Sequence, residues 1–279
     1  MTASRDRCSR ARPPVPRPRR RLRSRARPVR SGPVQAAELN RIADRLAPAP
    51  FEARKARFEY TDIRVWEAAD PASLAAGPVD PAPVTVRRVK QWTNTVDAGR
   101  VYAVDEGRGC PAETDDAWTA REAGPWDGPL SSDPGAVRRQ LLGPPPNAGI
   151  DLFGQIRELY AARVVPPATR RGILRMLARQ PDITVYQGVT DQNGRTGVAV
   201  VTTVAGPPVL PRRTFRKTLI VDPATGGLLA AETTDAAAAH NPGAAPWQRT
   251  GFHGYVLFLS RGYSADMRTP APSCVTGQR

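Results

Sequence analysis

The sequence predicts an α+β domain in which an antiparallel sheet packs on two or three helices. Residues 182–234 fall into four short runs of alternating character divided by turn residues, and residues 134–178 repeat apolar side chains at helical spacing. A second set of aromatic and β-branched runs lies between residues 56 and 105. Strands and helices segregated along a chain are the mark of an α+β arrangement.

The chain opens on a segment expected to stand outside such a fold. Residues 1–30 hold twelve arginines and one aspartate, most of the net charge of +15, interspersed with Pro13, Pro14, Pro16, Pro18 and Pro28. Such a composition repels itself and buries too little apolar area to offset ordering entropy, so residues 1–33 are expected to be a disordered tail. A single domain is expected over 34–266, with the N-terminal helix and strands in 34–130, helices in 131–180 and antiparallel hairpins in 181–260. Residues 267–279 are expected to be loose.

Within the domain, Leu39, Ile42, Ala43 and Leu46 line one face of a helix over 35–46 that Pro48 and Pro50 end. The run ARFEYTDIRVWE, 56–67, reads as a long strand with Phe58, Tyr60 and Trp66 on one parity and Ile63 and Val65 on the other. A loop rich in Pro, Ala and Gly leads to a strand over 84–96, and a turn at 97–100 leads to a third over 101–105. Residues 106–133 read as loop with one short strand near Trp118. Asp133 and Pro134 suit the cap and first position of a helix, and Gly143 with three prolines stops it. Leu152, Ile156, Leu159 and Tyr160 share a helix face, as do Ile173, Leu174, Leu177 and Ala178 after Pro166 and Pro167. Four strands follow, ITVYQGV, GVAVVTTV, TFRKTLIV and LLAAETT. Asn193-Gly194 turns one hairpin, and Gly226 and Gly227 permit the turn of another. The apolar run 255–259 is expected to add an edge strand.

Several chemistries lack their residues. There is no nucleophile elbow, Walker loop, dinucleotide fingerprint or zinc-protease helix, and no enzymatic activity is expected. Cys8, Cys110 and Cys274 do not form a zinc pattern; Cys110 and Cys274 are either a pair or two ordinary thiols. No metal or cofactor is expected. His240 and His253 read as solvated or packing histidines. Asp191, Asn193 and Gly194 read as a hairpin turn rather than a calcium loop, because the later ligand positions hold no acids. Asp222 is expected to bond its own turn, and Asp105-Glu106 and Asp115-Asp116 to be hydrated. Arg170, Arg171 and Arg175 read as the polar face of their helix. No run of about 18 apolar residues occurs, so no membrane-spanning helix is expected and the chain as it stands reads as soluble and unexported.

Two binding readings remain. Phe58, Tyr60, Trp66, Trp92 and Tyr102 are either core or the lining of a hollow that receives an apolar ligand such as a lipid chain. The tail, through Arg19, Arg20, Arg21, Arg23 and Arg25, can bind nucleic acid or an anionic surface weakly and without sequence preference.

The segment DLFGQIRELYAARVVPPATRRGILRMLARQPDITVYQGVTDQNGRTGVAVVTTV, continued by KTLIVDPATGGLLAAETT, resembles an uncharacterised actinobacterial family of membrane-anchored ectodomains associated with sigma-factor regulation. The resemblance implies a lipoprotein-carrier-like half-barrel, a curved antiparallel sheet wrapping its helices. It also implies a non-enzymatic binding or sensory module of envelope regulation, with a regulatory protein or lipid as partner and an extracytoplasmic location. An arginine-rich segment stands where that family has its membrane span.

Overall fold

The computed structural model describes residues 27–28, 33–68, 84–94, 98–106, 113–119, 126–143, 151–206, 213–237 and 251–268. Helices α1 (Pro33–Arg45), α2 (Pro134–Leu142), α3 (Leu152–Ala162) and α4 (Pro167–Leu177) form one layer among these residues. The other layer is a curved, open antiparallel sheet that does not close into a barrel. Its strands are β1 (Arg27–Pro28), β2 (Phe58–Ala68), β3 (Val84–Asn94), β4 (Ala98–Asp105), β5 (Glu113–Trp118), β6 (Ile183–Thr190), β7 (Thr196–Ala205), β8 (Thr214–Val221), β9 (Leu228–Asp235) and β10 (Phe252–Ser264). Their order across the sheet is β1-β6-β7-β8-β9-β10-β2-β3-β4-β5.

Two meanders, β2–β5 and β6–β9, are thus fused through β10. The strand expected at an edge lies in the middle of the sheet, pairing Val256 with Val65 on one side and with Ala231 on the other. It also runs thirteen residues rather than five. The physical reason is in its sequence: Tyr255, Val256, Leu257 and Phe258 are apolar on both parities, which suits a strand covered on both faces. At the opposite edge, Arg27 and Pro28, within the segment expected to be disordered, pair with Gln187 and Tyr186.

The helices start and stop where local chemistry requires. Asp133 caps α2 by accepting from the Ala136 amide at 2.8 Å. Asp151 caps α3 through the Phe153 amide and also meets Lys217 of β8 at 3.0 Å, which ties the helix start to the sheet. At the far end of α3, Thr61 of β2 donates to the Ala161 carbonyl at 2.6 Å, and Glu59 receives Arg163 on both oxygens at 2.7 and 3.0 Å. Between the layers, Leu39, Ile156, Leu159, Leu174 and Leu177 from the helices meet Ile63, Val200, Leu219, Val256 and Phe258 from the strands in one continuous buried core. The odd residues Ile63 and Val65 of β2 therefore face the helices, and the even residues face away.

Of the α4 arginines, Arg175 is exposed and Arg171 half-buried on the polar face, and Arg170 departs from it. Arg170 is 1 % exposed and inside the core, bonded to Glu52 at 2.6 Å. Arg171 donates to the Ala43 carbonyl at 3.0 Å and Arg175 meets Asp44 at 2.7 Å, so both bind α4 to α1. Helical spacing placed them beside the apolar stripe, and α1 covers that flank.

Candidate functional site

The face of the sheet turned away from the helices carries the aromatic residues singled out in the sequence. Phe58, Trp92 and Tyr102, on β2, β3 and β4, are buried together, with Tyr60, Ala98, Val104 and Met267 packed against them. Register explains the grouping. Tyr60 stands opposite Trp92, and their ring centroids are 5.1 Å apart. Met267, expected to be loose, lies over this cluster, and its carbonyl accepts from Arg100 at 2.8 Å.

Trp66 belongs to a second cluster on the same face. It pairs across the strands with Tyr255 of β10, ring edge to ring at 5.5 Å, and the cluster continues through Leu257, Phe252, Ala230, Ile220 and Ala199. The sequence reading did not find Tyr255, Phe252 or Leu257. The doubly apolar run 255–258 was the available signal.

A charged belt runs between the two clusters. Asp62 is buried, receives Arg88 on both oxygens at 3.0 and 2.8 Å, and accepts from the Tyr60 hydroxyl at 3.3 Å. Burial, with the Asp62 charge behind it, pushes the Tyr60 hydroxyl up to about 12. Hydrogen bonding to Asp62 raises Arg88. Beside this pair, Arg64 meets Glu106 and lies over the Trp66 ring, 4.9 Å from its centroid. The five aromatics thus fall into two groups among the described residues: Phe58, Tyr60, Trp92 and Tyr102 converge, and Trp66 joins Tyr255 beyond the belt.

Among the described residues neither cluster contains a helix residue, and Trp66, Phe252, Tyr255 and Leu257 are at most 5 % exposed. Tyr255 is dry enough that burial moves its hydroxyl well above the ordinary range, while it accepts from the Gln192 amide at 3.3 Å.

Other sequence candidates have plain structural roles. His253 lies 2.9 Å from Asp235 and edge-on to Phe215. Asp191 accepts from the Asn193 and Arg195 amides at 2.8 and 2.9 Å, and Asp222 from the Ala224 amide at 2.9 Å and the Thr225 hydroxyl at 2.7 Å, as hairpin turns require. Asp105, Glu106, Asp115 and Asp116 lie at the surface, where Asp105 and Asp115 pair with Arg87 and Arg100 of neighbouring strands and Glu106 meets Arg64 of β2. Among the described residues, no three metal-ligating side chains gather, and no helix is long and apolar enough to cross a membrane. Arg19, Arg20, Arg21, Arg23, Arg25, His240, Cys8, Cys110 and Cys274 lie outside the described residues.

Among solved structures, the chain matches the crystal structure of a DUF1329 family protein from Desulfovibrio piger at 10 % identity and a TM-score of 0.22, covering 84 % of this chain and 94 % of that one. No protein-family model and no curated protein matches it.

Proposed function

We propose that the protein is a non-enzymatic binding module whose curved sheet receives an apolar or lipid ligand on the face away from the helices. The observation that supports this reading is the pair of shielded aromatic clusters on a face to which none of the described helices contributes. Aromatic and aliphatic walls with a few placed polar groups are the usual lining of a small-molecule site, and the Asp62, Arg88 and Tyr60 belt supplies the polar groups. The family resemblance adds the setting: occupancy of this face reports on the envelope to a sigma-factor system through a regulatory protein.

Titration of the full-length protein with a fluorescent long-chain fatty acid tests the reading. Saturable, one-to-one binding with quenching of tryptophan emission is expected. Trp92→Ala and Trp66→Ala each remove a large apolar contact of about 1.5–3 kcal/mol, hence affinity falls about tenfold to a hundredfold. Absence of saturable binding by the wild-type chain contradicts it.

A further inference from the structure

On the helix side of the sheet, the described residues of the core include more arginine charge than their ion pairs balance. Arg170 sits at the start of α4 with its side chain 1 % exposed. Its Nη1 donates to Glu52 at 2.6 Å and to the Val165 carbonyl at 3.1 Å. Its Nε and Nη2 are shut away from solvent and have no partner among the described residues.

Arg261 of β10 enters the same region. Its Nη2 donates to the Leu228 carbonyl, and its Nη1 is enclosed with no partner among the described residues. Part of the residue reaches the surface, but its guanidinium lies 5.3 Å from the centroids of both the Tyr160 and Phe258 rings. Both arginine charges act on the buried Tyr160 hydroxyl, which itself donates to the Gly226 carbonyl at 3.0 Å.

The neighbouring carboxylates are engaged. Glu52 is held by Arg170 and by the Ala49 amide at 2.6 Å. Asp222 serves its own turn, and Asp191 serves its own turn and Arg195 at 2.6 Å. Burial, together with the like charge of Arg170, pushes Arg261 down to about 10, so it still carries its charge at neutral pH. The Asp222 carboxylate acts on Arg261 from a distance without an ion pair between them among the described residues, and an enclosed charge without a paired carboxylate is among the most costly features a core can have. Unmade hydrogen bonds add to that cost.

A water molecule fits this site poorly. The free groups are all donors, whereas water accepts at most two hydrogen bonds and must place its own two protons. We propose that a small monovalent anion of chloride size is held between Arg170 and Arg261, accepting from Nε and Nη2 of the first and Nη1 of the second. The anion completes the charge balance of the core and fastens α4 to β10. This assignment is independent of the ligand proposed for the other face.

Bromide is the probe. Crystals of the full chain soaked in sodium bromide and measured at the bromine absorption edge are expected to show an anomalous peak touching both guanidinium groups. An ordinary water there, or bromide on the outer surface only, overturns the proposal. In solution, sodium chloride or bromide is expected to raise the melting temperature by about 3–6 °C over sodium gluconate at equal ionic strength. Equal melting temperatures in all three salts overturn it. Arg261→Met, checked for folding by circular dichroism, is expected to lose the halide effect, and neither wild-type readout depends on that variant folding.

Discussion

Tyr160 shows how one side chain converts burial into pH dependence. Its hydroxyl is enclosed beneath β10, and burial pushes it up to about 12, against an unfolded value near 10. Below about pH 10 both states hold the proton and the contribution is complete. Between about pH 10 and about pH 12 the unfolded chain releases a proton that the folded one keeps, so stability is lost as pH rises. Arg261, held down to about 10, acts in the opposite direction over the same interval, which makes the difference between variants the proper measure. Tyr160→Phe is expected to lose about 1 kcal/mol at neutral pH with its hydrogen bond to Gly226, and to remove about 2–3 kcal/mol of the alkaline decline. Urea unfolding of both proteins at the two ends of that interval checks this; parallel declines contradict it. Side chains that satisfy local needs were legible without a structure. Asp133, Asp191 and Asp222 each bond backbone within a few residues, and their neighbours in sequence announce it. Arg170 was not legible, because its partner Glu52 lies far away along the chain.

At the scale of elements, periodicity located nearly every helix and strand, and close approach decided how they meet. Gly172 of α4 faces α2, where an added Cβ falls 2.6 Å from the Ser132 carbonyl oxygen and 3.2 Å from a Val137 methyl. Backbone at that distance has little room to yield. Gly172→Ala is therefore expected to destabilise by about 1–3 kcal/mol, although alanine favours an isolated helix by about 1 kcal/mol. A thermal melt decides the sign, and a stabilised variant contradicts the tight α2–α4 contact. Glycine at 226 has a different cause, a backbone φ of +68° that closes the β8–β9 turn, while Gly227 does not adopt a positive angle. Both glycines suited that role in sequence, and spacing alone does not choose between them. The misplacement of β10 has a clearer lesson. The run Tyr255–Phe258 is apolar on both parities, and that two-sided apolarity, not the presence of an apolar run, is what suits the middle of the sheet.

For the whole molecule, the two meanders were each legible, but their fusion was not. It depends on β10 pairing with β2, a contact between opposite ends of the domain that no local pattern announces. That pairing also decides the candidate site, because it brings Tyr255 and Leu257 beside Trp66 and separates this group from Phe58, Trp92 and Tyr102 by the Asp62–Arg88 belt. The aromatic face was therefore found in sequence as a set of residues, and its division into two clusters came only with register. On the proposed reading this face is a receptacle for an apolar molecule. Native mass spectrometry of the full-length protein, purified without detergent, tests it most directly. A population carrying an additional non-covalent mass is expected, one that organic solvent releases and that Trp66→Ala and Trp92→Ala diminish. A bare chain mass alone, unchanged after incubation with lipid extract, contradicts it.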